Sequence, residues 1–432
     1  MFRNERTDNP WPTLAFIGVL VVTLLFPGAI RSSAHGLFQA GDPQPGVPGV
    51  AVTAADSVPP PALQLRAAVG PYSVRLPLIS LNYPLPPLSR RLGYGLVVDS
   101  FSQYPEAASL RAGWYVNWNV QQTPQRPNGM EFVQMVRLHQ NLTPVPHNPP
   151  FLCDSSDAWD RSKCPYATPA SYTFRPSADV ITQAADANPG SLWLIGNEMD
   201  RRDWPGGGQD EMLPELYATA YRDLYTLIKG ADPTARLAIG GVIQATPFRL
   251  DYLTEVWNAY QQQFGTSMPV DVWNVHNFIL QEKLCCHGAS IPPGNTAQTG
   301  TVYADADHVN MTIFAQQIRD FRAWMKAKGQ QDKPLIVSEY GVLYSHVAAF
   351  NTAPAVQDFM IQTFDYFLNT KDCNLGYAAD QCRLVQRWNW YSFNDSSFNT
   401  FGKLFDPLTF QITSTGARFR EYSLKNLDAL GQ

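Results

Sequence analysis

The chain has 432 residues, 45% of them apolar and 16% charged, with a net charge of −5. That length suits a barrel with extra segments, and the apolar share supplies a large core, which excludes a disordered chain. The slightly acidic balance lacks the basic footprint that a nucleic-acid partner would leave.

Arg3 and Arg6 precede an almost wholly apolar stretch over 13–30, and small residues, Ser32 and Ala34, follow at positions suited to cleavage. Residues 1–34 read as a secretory signal peptide or, if uncleaved, as a signal anchor, because 18 apolar residues lie near the lower limit for crossing a bilayer. Either reading exports the remainder, secreted or held at a membrane by 13–30 alone. Residues 35–90 are rich in Pro, Gly, Ala and Val and read as an extended linker, with one short strand over 72–80 docked on the main domain.

From 91 to 425 apolar runs alternate with amphipathic stretches. The patterning predicts a first strand over 94–99, a helix over 104–112, and strands over 114–120 and 131–138. A loop rich in Pro and Cys follows over 141–170, then a helix near 176–187 and a fourth strand over 192–197. A helix over 213–229 is stopped by Gly230. Further strands are expected over 236–242, 270–278, 334–339 and 384–393. Helices are expected over 248–264, 308–328, 355–369 and near the C-terminus. Eight strands alternating with helices predict an α/β fold, a single (β/α)8 TIM barrel. The expected assembly is a monomer.

Six cysteines fall as Cys153 with Cys164, Cys373 with Cys382, and the adjacent Cys285 and Cys286. Two local disulfides, 153–164 and 373–382, are expected in an oxidising compartment. The adjacent pair is either a vicinal disulfide or two thiols. Neither CxxC nor Cys/His metal spacing occurs, and only His276 of the seven histidines sits at a strand end, so neither metal nor other cofactor is expected.

Two of the predicted strands end in an acid. The run LWLIGN is followed directly by Glu198, and PLIVS by Glu339, with 339 − 198 = 141 residues between them. Packing does not ask a buried strand to stop on an amide and an acid, whereas a catalytic carboxyl at the C-terminal end of a barrel strand has this form. Ends of strands four and seven face each other across a barrel mouth. A gap of that kind suits a sugar ring between a proton donor and an attacking carboxylate. The aromatic content, 12% with 11 Trp and 19 Tyr, agrees with a cleft that stacks sugar faces, beyond what a large core uses.

In Asn197-Glu198 and Glu339 the chain resembles the clan A glycoside hydrolases, whose acid/base ends strand four and whose nucleophile ends strand seven. Three segments are similar to the Asl1-like family 128, a group of β-1,3-glucanases: GWYVNWN at 113–119 with EFVQM after it, GNEMD at 196–200, and His276-Asn277-Phe278. Met199 stands where that family has Pro, and Phe278 where it has Tyr. The resemblance implies Glu198 as general acid/base and Glu339 as nucleophile. It implies Asn197 on the sugar 2-hydroxyl, His276 in the same subsite, Trp390 as its floor with Trp388 beside it, and Trp118 and Trp204 as outer walls. Each has a plainer reading: a solvated loop acid, a structural histidine, a core tryptophan. Arg201-Arg202-Asp203 reads as a solvated loop, and Tyr340 as packing. The expected function is a secreted retaining glycosidase acting on a β-linked oligo- or polysaccharide. The alternative is an inactive barrel serving as a glycan-binding or cell-envelope scaffold.

Overall fold

The computed structural model describes residues 86–97, 100–143, 161–203, 208–284, 288–344, 346–395, 397–398 and 400–426. The leader, the linker strand over 72–80, Cys153, Trp204, Cys285 and Cys286 lie outside the described residues. Among the described residues no helix is long and apolar enough to cross a membrane.

Eight parallel strands close on themselves. They are β1 (Leu92–Gly95), β2 (Trp114–Val116), β3 (Glu131–Phe132 and Gln134–Gln140, interrupted at Val133) and β4 (Leu192–Asn197), then β5 (Arg236–Gly241), β6 (Trp273–Val275), β7 (Leu335–Tyr340) and β8 (Arg387–Trp390). β1 pairs with both β8 and β2, which joins the end of the chain to its beginning. β2 pairs with the first part of β3, and the second part of β3 pairs with β4. The seam between β5 and β6 is made by the bridges Ala238 to Val272 and Val242 to Val275. The predicted barrel is therefore the observed one. An antiparallel strand, Tyr172–Arg175, lies along the outer part of β3.

Six α-helices are described: α1 (Ala178–Ala187), α2 (Pro214–Ala231), α3 (Pro247–Phe264), α4 (Met311–Ala327), α5 (Ala353–Asn369) and α6 (Ser414–Asn426). The helix expected over 104–112 is only a 3-10 turn, Ala107–Leu110, ended by Arg111 at φ 57°. Pro105 precedes it and Gly113 follows, so the stretch is too short for a stable α-helix. α2 and α3 begin with Pro in the first turn, where its missing N–H costs nothing. Asn310 caps α4 by accepting from Thr312 and Ile313 N–H.

Alternation along each strand splits the core into two layers. Trp114, Val116, Met135, Leu194, Ala238 and Ile336 fill the barrel interior. The opposite face of the strands packs on the helices: Trp273 of β6 meets Trp324 of α4 edge-on, centroids 4.9 Å apart. Below the mouth the interior is thus packed, and polar side chains gather at the C-terminal strand ends.

Candidate active site

Glu198 directly follows β4, and its backbone turns there at φ 51°. Trp118 just beyond β2 and Asn277 just beyond β6 also adopt left-handed φ, 56° and 63°. Non-glycine residues in this region carry strain, which concentrates at functional sites. All three turns border one cluster. A ligand atom from each of Glu198, His276 and Glu339 lies within 4.8 Å of the other two.

His276 stands between the acids. Its Nδ1–H donates to Glu198 Oε1 at 3.0 Å and is 3.9 Å from Glu339 Oε2. The ring fits there because β5 ends in glycine: a Cβ on Gly241 would sit 2.1 Å from the His276 ring. Trp118 Nε1–H donates to Glu339 Oε2 at 3.1 Å. Its ring is accommodated by Gly95 of β1, where a Cβ would come within 2.7 Å of it.

The loop after β4 returns to the strand it left. Asp210 accepts from the N–H groups of Leu138 and Asn197, each at 2.9 Å, and pairs with Arg137. Its carboxylate thus occupies the place where β3 and β4 part. That return brings Gln209 Nε2–H to 3.3 Å from Glu198 Oε2. Arg201 Nη1–H donates to the same oxygen at 2.9 Å, and Arg201 Nη2–H to the Gly288 carbonyl at 2.8 Å. Asn197 donates to the Gly208 carbonyl at 3.2 Å.

Charge is distributed unevenly in this cluster. Burial would push the Glu198 carboxyl up, but the Arg201 charge and the His276 hydrogen bond outweigh it and hold the carboxyl at about 2. Burial pushes Glu339 up to about 7, helped by the neighbouring Glu198 charge against the pull of His276. His276 is buried, which lowers it, yet the two glutamate charges win and raise it. The three side chains also lie close enough together to hold a metal ion, although the Arg201 guanidinium already occupies Oε2 of Glu198.

Of the expected site residues, the structure brings together Asn197, Glu198, His276, Glu339 and Trp118. Trp388 and Trp390 are corrections. Both are 0% exposed and point away from the mouth. Trp390 packs edge-on against Tyr340 and donates to the Gly402 carbonyl at 2.7 Å, and Trp388 packs on Phe364 and Phe367 of α5. The aromatic that β8 offers to the mouth is Tyr391, one residue on, with its ring 5.9 Å from that of Trp118. Tyr391 Oη–H donates to Asp395 at 2.7 Å. Arg201 is the second correction, since it is ion-paired with Glu198 rather than solvated. Tyr340 packs as expected, its hydroxyl against Thr363. Cys373–Cys382 form a disulfide, and Cys164 is disulfide-bonded; Cys153, expected to pair with it, lies outside the described residues.

No family model and no curated protein matches the chain. Solved structures with a similar trace include a family 128 (subgroup VII) oligosaccharide-binding protein from Trichoderma gamsii, at 13% identity and TM-score 0.43, covering 79% of this chain and 98% of that one. They include a family 39 glycoside hydrolase from Bacteroides cellulosilyticus, at 13% identity and TM-score 0.45, covering 79% and 64%. A third is a family 5 glycoside hydrolase of subfamily 18 from Streptomyces cattleya, in complex with GlcNAc, at 14% identity and TM-score 0.44, covering 78% and 81%. The barrel of this chain stands on its own strand pairing.

Proposed function

We propose that this chain is an exported glycoside hydrolase that cleaves a β-linked glycan, such as a β-glucan, with retention, by double displacement on Glu198 and Glu339. The observation that carries the reading is the carboxyl pair at the barrel mouth, with oxygens within 4.8 Å. Retaining enzymes hold their carboxyls about 5–5.5 Å apart, and inverting ones about 6.5–9.5 Å, to leave room for a water. One carboxyl must donate a proton to the leaving oxygen while the other attacks the anomeric carbon. The resemblance gives those roles to Glu198 and Glu339 in that order. Asn197 supports the reading, because its buried Oδ1 has no partner and is free to accept from a sugar hydroxyl. Trp118 and Tyr391 supply an aromatic wall. No cofactor enters the scheme. Export is supported by the Cys373–Cys382 disulfide, which suits an oxidising compartment. The leader (1–34), the linker (35–90) and a monomeric catalytic domain over 91–425 belong to the same proposal.

Turnover of aryl β-glycosides and a polysaccharide panel that includes β-1,3-glucan tests this, with Glu198→Gln and Glu339→Gln as controls. Hydrolysis lost in both variants is expected. A second reading has one specific observation in its favour: both oxygens of Glu198 are taken, by Arg201 and by His276. A barrel that binds glycan and cleaves nothing would give saturable binding and no products on the same panel.

A further inference from the structure

Beside the acid cluster the rim carries a recess of about 40 Å³, room for about three waters. It lies between the end of β3, the segment around Arg161 and the loop that returns after β4. Glu211 forms its floor, and that carboxylate is fully engaged. Arg161 donates to both of its oxygens, Tyr166 Oη–H to Oε1 at 2.5 Å, and Asp203 N–H to Oε2 at 2.7 Å. Other polar groups around the recess are unused. Gln140 is 1% exposed; its Oε1 accepts from Leu213 N–H at 2.7 Å, but its Nε2 has no partner. The Asp203 carboxylate and the His139 ring line the same space and feel the charges around it, yet have no hydrogen bond among the described residues.

These groups define what fits. An amide –NH2 turned into the recess repels a cation, and Asp203 beside Glu211 repels an anion. Burial and the charges of Glu211 and Asp210 push Asp203 up to about 7, so a hydrogen-bond donor stabilises its carboxylate. A hydroxyl answers both needs: its O–H donates to Asp203 and its lone pair accepts from Gln140. The volume takes a group of two heavy atoms and not a ring. The recess also lies close to the acids. Asp210 N–H donates to the Asn197 carbonyl at 2.8 Å and Met212 N–H to that of Met199 at 3.0 Å, so the returning loop runs alongside the end of β4. Gln209 of that loop reaches Glu198, and Glu211 two residues on floors the recess. Two residues of extended chain advance about 6.6 Å, a step that a neighbouring sugar unit covers.

We propose that this recess holds the exocyclic hydroxymethyl group of a hexose unit next to the cleaved one, and that it makes the cleft select hexose polymers over pentose polymers. This rests on the glycosidase reading and names a feature of its substrate. Gln140 and Asp203 hold the hydroxyl, and His139 is a further partner at the exposed edge.

The Glu339→Gln protein, labelled with 15N, is titrated by NMR with cellohexaose, laminarihexaose and xylohexaose, the last of which lacks the hydroxymethyl group. At least one glucose oligomer should shift the Gln140 side-chain amide saturably, and xylohexaose should leave it in place. In the active protein, Asp203→Ala should lower kcat/KM on that glucose oligomer by about tenfold or more, as expected for a lost hydrogen bond to a charged group. The loss should be smaller on an aryl β-glucoside, which is too short to reach the recess. His139→Ala, at an exposed position, should show a weaker loss with the same substrate order. A Gln140 amide that stays in place while the Trp118 indole signal responds overturns this inference and leaves the glycosidase reading standing. A xylohexaose shift equal to that of the glucose oligomers overturns it as well. A saturable Gln140 shift without hydrolysis of any substrate by the parent protein overturns the glycosidase reading and keeps the recess. If neither signal moves with any oligomer, both fall.

Discussion

Two buried ionic clusters flank the loop after β4, and they are built on opposite principles. One is the trio Asp200, Arg249 and Glu282, with all three side chains at 0% exposure. There Arg249 donates to Glu282 Oε1 at 3.0 Å, to the Asp200 carbonyl, and to the Ala289 and Ser290 carbonyls. Glu282 also accepts from Thr246 and Thr301, and Asp200 from Ile243. The other is the pair Glu198 and Glu339 with His276 and Arg201. There His276 Nε2, Arg201 Nε and Asn197 Oδ1 have no partner. The first network is closed and fastens loops to the barrel. The second has two acids side by side and unused donors and acceptors, an arrangement that costs stability and makes sense when something else completes it.

That contrast can be broken at several points. The largest effect is expected at the open cluster and in activity: Glu198→Gln and Glu339→Gln should each lower kcat by about 10²–10⁴-fold while the chain still folds. An equal loss of activity and of stability would make this cluster structural too. Removing the central cation of the closed cluster, Arg249→Met, leaves two buried carboxylates uncompensated. It should cost about 3–5 kcal/mol in denaturant unfolding. A loss below about 1 kcal/mol would mean that the trio fastens nothing.

The tryptophans of β8 sharpen the comparison from the packing side. Trp390→Leu should cost about 2–4 kcal/mol of stability while leaving KM for any substrate within about twofold, because the ring faces α5 and not the mouth. Trp118→Phe should do the reverse, weakening substrate binding or turnover with little loss of stability.

A pH dependence separates the two carboxyls of the open cluster. Glu339 in the folded chain is raised to about 7, whereas an unfolded glutamate titrates near about 4.3. The folded state keeps a proton that the unfolded chain has shed, so this group costs stability as pH rises from about 4 to about 7. The slope is at most about 1.4 kcal/mol per pH unit. Glu339→Gln removes that cost, so its advantage over the parent should grow through this window and level off above it. Glu198 has the opposite sign. Its carboxyl is held at about 2, so its contribution is present above about 4.3 and is lost as pH falls toward 2. A Glu339→Gln variant parallel to the parent from pH 4 to 7 would contradict the assignment of the strained carboxyl.

Much of this molecule was legible in the chain because it is written in local patterns. LWLIGN and PLIVS are buried strands by length and bulk, and each meets an acid where it emerges, so strand count alone placed Glu198 and Glu339 at one rim. His276 followed from the same rule on β6. Parity along β8 was not legible. Trp388 and Trp390 share a face, but which face turns outward is set by Phe364 and Phe367 on α5, far along the sequence. Tyr391 was missed for the same reason. Arg201 was missed because an arginine in a run of charges reads as solvated. Only the return of the loop through Asp210 and the contact with Gly288 turn it onto Glu198. The early helix failed on length, since the five residues between Pro105 and Arg111 leave room for one tight turn, Ala107–Leu110.

The stereochemistry of the first product tests the central claim most directly. Proton NMR of a reaction mixture, read before the released sugar mutarotates, should show the β-anomer first and the α-anomer only as it equilibrates, as two displacements on carboxyls within 4.8 Å require. An α-anomer formed first, or intact glycan after saturating binding, would contradict it.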